Sequence, residues 1–170
     1  MLVFMKKAAM AINSQRLLFV CLGNICRSPA AEGVMKQLLD ERKLSERLDV
    51  DSAGTSSFHI GEPADRRMRE AAARRGIVLT SRARMIHRRD FTDFDWLIAM
   101  DQKNLREMQS YPESATAQVC LLSDFLDESW PREVPDPYYG GEEGFGKVLD
   151  MLEAACPVIL DRLSVTNAAT

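Results

Sequence analysis

Near the start of the chain, Cys21-Leu22-Gly23-Asn24-Ile25-Cys26-Arg27-Ser28-Pro29 gathers a thiol, a guanidinium and a hydroxyl into one short loop. Set between an apolar strand and a helix start, such a loop can turn successive backbone N–H groups onto one anion. The helix behind it adds unsatisfied N–H groups and the positive end of its dipole. Gly23 and Asn24 both tolerate the left-handed backbone angles that a chain folded into a cradle needs. Arg27 brings a planar fork matched to two phosphate oxygens. The same positive field favours a thiolate at Cys21, the form that attacks phosphorus, and Ser28 can hydrogen-bond that thiolate as it departs. Cys-x5-Arg alone is a weak signal. With serine next, chance produces it in about one chain in forty of this composition.

Opening a phosphoester also requires a proton for the leaving oxygen. Asp136-Pro137-Tyr138-Tyr139 offers a carboxylic acid beside two aromatic rings. Pro137 disfavours helical backbone at Asp136, and the rings suit a planar leaving group. Cys26 reads either as a small core residue or as a redox partner of Cys21. Cys120 and Cys156 read as core.

The elements that must position these groups alternate. Leu17–Val20 reads as a buried strand, followed by a helix from Pro29 through Leu39. Leu48–Ser52 is a weaker strand. Pro63 opens a second, arginine-rich helix that Gly76 closes. Asp95–Met100 is a third strand, Asn104–Gln109 a short helix and Gln118–Leu122 a fourth strand. Gly141–Leu163 forms a long closing helix, bent at Pro157. Strand–helix alternation predicts an α/β fold, a parallel sheet with helices on both faces and its ligand site at the carboxyl ends of the strands. The stretch 123–140 has little periodicity and is long enough for a functional lid.

Composition narrows the partners. With 170 residues, 22 Lys+Arg against 25 Asp+Glu and a net charge of −3, the chain has one domain's length and no excess of positive charge for nucleic acid or an anionic membrane. No apolar run approaches a membrane span. Two histidines and four cysteines without a C-x-x-C pair argue against a metal site. Residues 1–15 read as a loosely ordered extension with Met5 and Met10 as alternative starts, 16–163 as the domain and 164–170 as a tail. A cytoplasmic location follows. Arg66, Arg67, Arg69, Arg74 and Arg75 make the second helix basic, either a solvated face or a docking surface for acidic partners.

The stretch from Val20 to Glu32 resembles the phosphate loop of the low-molecular-weight protein tyrosine phosphatases. Asp51-Ser52-Ala53-Gly54-Thr55, Ile60-Gly61-Glu62-Pro63-Ala64-Asp65, Asp90-Phe91 through Phe94-Asp95, Met100-Asp101 and Asp136-Pro137-Tyr138-Tyr139 match in order. The resemblance covers residues 15–163 and implies a single-domain four-stranded parallel sheet in the order 2-1-3-4. It implies Cys21 as nucleophile of a phosphocysteine intermediate, Arg27 as phosphoryl clamp, and Asp136 as general acid and then base. Asn24, Ser28 and Ser52 would hold the loop's shape. Leu22, Ile25, Phe58, Tyr138 and Tyr139 would form the rim that receives the substrate side chain. Cys26 would form a reversible, protective disulfide with Cys21. The implied partner is a tyrosine-phosphorylated protein or peptide, with inorganic phosphate as product and inhibitor, and neither a metal nor an organic cofactor.

Two features depart from the family. Many members carry a histidine that joins the Asn24 network where this chain has Ser81 or Arg82, and the N-terminal extension is not a core feature. Arsenate reductases on the same scaffold use further cysteines mid-chain, whereas residues 76–100 contain none. Relatives acting on phosphoarginine carry threonine at the position of Ile25, whose apolar side chain suits a phenyl ring instead. A non-catalytic phosphate-binding or redox module would not need Asp136.

Overall fold

The computed structural model describes residues 14–111 and 116–163. The expected extension, up to its last two residues, and the tail 164–170 lie outside them. Four strands form one sheet: β1 (Gln15–Cys21), β2 (Leu48–Gly54), β3 (Trp96–Ala99) and β4 (Gln118–Leu121), in the order β2-β1-β3-β4. Every pairing is parallel, and the register sets Cys21, the last residue of β1, opposite Gly54, the last of β2. The helices are α1 (Arg27–Glu41), α2 (Arg66–Ala73), α3 (Asp90–Asp93), α4 (Gln102–Gln109) and α5 (Glu143–Arg162).

Successive side chains of a strand point to opposite faces, and β1 divides the core accordingly. Leu17, Phe19 and Cys21 pack with α1, α2 and α5 residues such as Met35, Met68 and Leu152. Leu18 and Val20 pack with Phe91, Phe94 and Met108 on the other side. With both faces covered, the central strand carries an unbroken apolar run, as parallel sheets do. The α/β architecture and strand order are those the sequence implies.

Several boundaries differ from expectation. The second helix begins at Arg66 rather than Pro63, because the Asp65 side chain caps it by accepting from Arg67 N–H at 2.8 Å, while Pro63 bridges to Arg82. Gly76 does end it, at φ +76°, with Ile77 N–H reaching back to Ala72. The fourth strand stops at Leu121 and tightens into a 3-10 turn over Leu122–Phe125. α5 continues through Pro157. The stretch 123–140 is anchored in its first part: Val134 is buried and its N–H donates to Met100 O at 2.9 Å, and Ser123 Oγ donates to Arg132 O at 2.6 Å. The arginines of this segment divide between solvent and the fold, with Arg66, Arg69 and Arg74 exposed. Arg67 pairs with Asp65, Arg69 donates to Ala64 O, and Arg75 bridges Asp150 and Glu153 on α5.

Candidate active site

The β1–α1 loop rises from the carboxyl edge of the sheet, and its shape follows from three local facts. Asn24 alone takes the left-handed conformation, at φ +56°; Gly23 does not. The glycine leaves room for a neighbour, since a Cβ there would lie 3.0 Å from the His59 ring, which would have to give slightly. Gly54 is likewise a close approach: a Cβ would sit 2.7 Å from Leu22 O, so β2 can press against the loop only without a side chain. The N-terminus of α1 has no side-chain cap, unlike α2, capped by Asp65, and α4, capped by Asp101. Its first N–H groups stay available to an anion.

Cys21 lies at the base of this loop, buried, its Sγ accepting from Asn24 N–H at 3.3 Å and 3.0 Å from Ser28 Oγ. Asn24 then organises the neighbourhood. Its Nδ2 donates to Ser28 Oγ at 2.8 Å and Ser52 Oγ at 3.0 Å, and its Oδ1 accepts from Arg84 N–H at 3.0 Å. Ser52 Oγ donates to Glu32 Oε2 at 2.6 Å, and Lys36 neutralises the other oxygen of this buried carboxylate at 2.6 Å. Neither Ser81 nor Arg82 enters the network. The network is closed instead by Glu32 and by the Arg84 main chain, fixed by that side chain's ion pairs to Asp51 and Asp90.

Arg27 is buried at the helix start. Its Nη1 donates to Asp101 Oδ2 at 2.6 Å and Val134 O at 3.2 Å, and its Nη2 to Asp136 Oδ2 at 3.4 Å. Burial works against the charge, but Cys21, Asp101 and Asp136 outweigh it and hold the guanidinium protonated above its ordinary range. Burial, with Asp65 and Cys21 nearby, pushes the Cys26 thiol well up, and burial does the same to Cys156; the Cys120 thiol is pushed up to about 12. All four cysteines are free.

These groups open onto a cavity of about 480 Å³ lined by Cys21, Leu22, Gly23, Ile25, Cys26 and Arg27 below and by Phe58, Asp136, Tyr138 and Tyr139 at the mouth. Phe58 and Tyr139 are almost fully exposed, at 86% and 92%. The residues expected at the cradle or the rim are thus drawn into one place, with Asn24, Ser28 and Ser52 behind the wall. Sequence reasoning assigned no role to Asp101, Glu32, His59 or Glu62. Asp101, two residues past the end of β3 and directly before α4, carried the mark of an N-cap, and its other oxygen holds Arg27. Glu32 carried the i,i+4 spacing to Lys36. His59 and Glu62 pair at 2.7 Å beside Phe58 and also line the cavity. Among the described residues no group of three His, Cys, Asp or Glu side chains could hold a metal ion, and no helix is long and apolar enough to cross a membrane.

A thiol, a buried guanidinium and a carboxyl group face this one cavity, and comparison with known proteins gives the class. The family model for low molecular weight phosphotyrosine protein phosphatases matches residues 16–168. A putative low molecular weight protein-tyrosine-phosphatase of Synechocystis is 46% identical over 87% of this chain and 96% of its own. The crystal structure of a protein tyrosine phosphatase from Entamoeba histolytica superposes with a TM-score of 0.85 at 47% identity, covering 89% of this chain and 97% of that one. That of a Drosophila arginine phosphatase gives 0.82 at 33% identity, covering 89% and 99%. The chain belongs to the low-molecular-weight protein tyrosine phosphatases, hydrolases of phosphoric monoesters.

Proposed function

We propose that the protein hydrolyses phosphotyrosine in proteins or peptides through a phosphocysteine intermediate on Cys21. The observation that carries this reading is the shared cavity of Cys21, Arg27 and Asp136, with Asn24 N–H and Ser28 Oγ already on the sulfur. The thiolate of Cys21 attacks phosphorus, forming an S–P bond as the bond to the phenolic oxygen breaks, and Asp136 gives its proton to that oxygen. Arg27 and the loop N–H groups bind the equatorial oxygens where negative charge accumulates. In the second step Asp136, now a carboxylate, takes a proton from a water whose oxygen attacks phosphorus. The S–P bond breaks, inorganic phosphate leaves, and Ser28 Oγ donates to the returning thiolate. Free phosphate fits the same cradle and so inhibits.

Leu22, Ile25, Phe58, Tyr138 and Tyr139 receive the phenyl ring and its flanking residues. Cys26 serves as the partner of an oxidised Cys21. A reducing compartment such as the cytoplasm goes with this reading, since both sulfurs must start as thiols. The resemblance to an arginine phosphatase keeps phosphoarginine as a second reading; the apolar Ile25 in the cavity wall favours the phenyl ring.

Hydrolysis of phosphotyrosine, phosphoserine and phosphoarginine peptides by wild type and Asp136→Asn, in reductant, tests the reading. Fast turnover of phosphotyrosine alone is expected, with kcat/KM lowered about 100-fold or more by the substitution. A preference for phosphoarginine sinks the Ile25 argument, and an unchanged rate in Asp136→Asn removes the acid.

A further inference from the structure

The loop that carries Asp136 has few ties to the body of the protein. Its upstream end is fixed at Val134, whose N–H bonds Met100 O and whose carbonyl accepts from Arg27. Its downstream end enters α5. Between the two, among the described residues, one main-chain group bonds another segment: Tyr138 O accepts from Arg67 Nη1 at 3.2 Å. The other polar group of the same residue, Tyr138 N–H, donates to Asp136 Oδ1 at 3.1 Å. Tyr138 therefore holds the carboxyl group with its N–H and is itself held by its carbonyl.

Arg67 is well fixed for this task. The Asp65 carboxylate accepts from its Nε at 3.1 Å and its Nη2 at 3.0 Å, as well as from its N–H. The guanidinium carbon lies 4.8 Å from the centre of the fully buried Phe145 ring and 5.4 Å from that of Tyr138. Asp65 N–H in turn donates to Ile25 O at 2.7 Å, within the phosphate loop. A continuous strut thus runs from Ile25 through Asp65 and Arg67 to Tyr138 and ends on Asp136. We propose that Arg67 is a positioning residue that sets the height of the Asp136 carboxyl group above the cradle. This inference rests on the reading of Asp136 as the general acid.

A misplaced acid harms a substrate in proportion to its need for a proton. Phenyl phosphate, with a poor leaving group, depends on protonation; p-nitrophenyl phosphate departs readily without it. For Arg67→Met, kcat/KM on phenyl phosphate should fall about tenfold and on p-nitrophenyl phosphate less than about threefold. Arg67→Lys keeps a cation but not the fork, and should recover part of the loss. The inhibition constant for inorganic phosphate should stay unchanged in both variants, which shows that the cradle is folded and intact. In an Asp136→Asn background, Arg67→Met should cost nothing more. Equal losses on the two substrates, or a further full loss in the double variant, would overturn the proposal while leaving Asp136 as the acid. Should Arg67→Met not fold, Arg67→Lys carries the same two-substrate comparison. If Asp136→Asn itself spares phenyl phosphate, the acid assignment falls and this inference falls with it.

Discussion

The two halves of the site are built on opposite plans. The cradle, from Cys21 to Ser28, is buried apart from the half-buried Leu22 and Gly23 and is closed by a network in which Asn24, Ser28, Ser52 and Glu32 satisfy one another. The acid loop and rim are exposed, with Asp136, Tyr138 and Tyr139 held by the guanidinium groups of Arg27 and Arg67 and by ring contacts among His59, Tyr138 and Tyr139. The contrast separates two demands. Phosphate is the same in every substrate, so its binding groups can be preorganised once and locked. Leaving groups and flanking sequences vary, and the groups that meet them gain from a lighter hold.

The largest effect lies in the cradle. Cys21→Ser should abolish turnover while retaining phosphate, because the hydrogen-bonding frame survives loss of the nucleophile; steady-state rates and phosphate titration measure the two. Turnover near the wild-type level would mean that the cradle has been given the wrong nucleophile.

A smaller effect probes whether the cradle can deform. Peroxide oxidises the Cys21 thiolate to a sulfenic acid, releasing hydroxide. The Cys26 sulfur then displaces water to form a disulfide that reductant reopens. Because burial keeps Cys26 protonated, its proton must be lost as the sulfurs meet. Recovery after peroxide, followed by activity on adding a thiol, should drop severalfold in Cys26→Ser. Equal recovery would remove the protective role and favour a cradle too stiff for the two sulfurs to meet.

The smallest effect belongs to the strut under the rim. The Arg67 side chain, and then the backbone N–H groups of Arg67 and Met68, hold the Asp65 carboxyl below its ordinary range. The folded state therefore binds this proton more weakly than the unfolded chain does. The stabilisation is complete above the ordinary carboxylate range and drains away as pH falls through that range toward the depressed native value. Asp65→Asn keeps an N-cap but loses this dependence. Its acid-unfolding limb should be flatter than that of the wild type in denaturant titrations between neutral and acidic pH. Parallel limbs for the two proteins would show that the ion pair adds nothing to the rim's hold.

Much of this was legible before any coordinates, and the reason is locality. The apolar run of β1, the loop after it and the start of α1 lie within about one and a half dozen consecutive residues, where side-chain type and spacing dictate the outcome. The start of α2 was misplaced because Pro63 mimics a first helical residue, whereas a carboxylate two residues later makes the stronger cap. The pairs Arg27–Asp101 and Arg67–Tyr138 span 74 and 71 residues of chain. Nothing in the local pattern announces such partners. They arise only once parallel strands bring their carboxyl ends to one edge. The Asn24 network divides the same way: Ser28 and Glu32 lie within eight residues of Asn24, whereas Ser52 and the Arg84 backbone reach it from 28 and 60 residues away.

Asp101 serves two masters, capping α4 with one oxygen and fixing Arg27 with the other. The working lifetime of the clamp is therefore tied to a helix end, the part of a helix that frays first. Each time the first turn of α4 opens, the guanidinium loses a carboxylate partner, and each time it closes, the partner returns. Amide exchange at Asn104, on a helix that does not line the cavity, becomes a clock for how long the Arg27 clamp stays assembled.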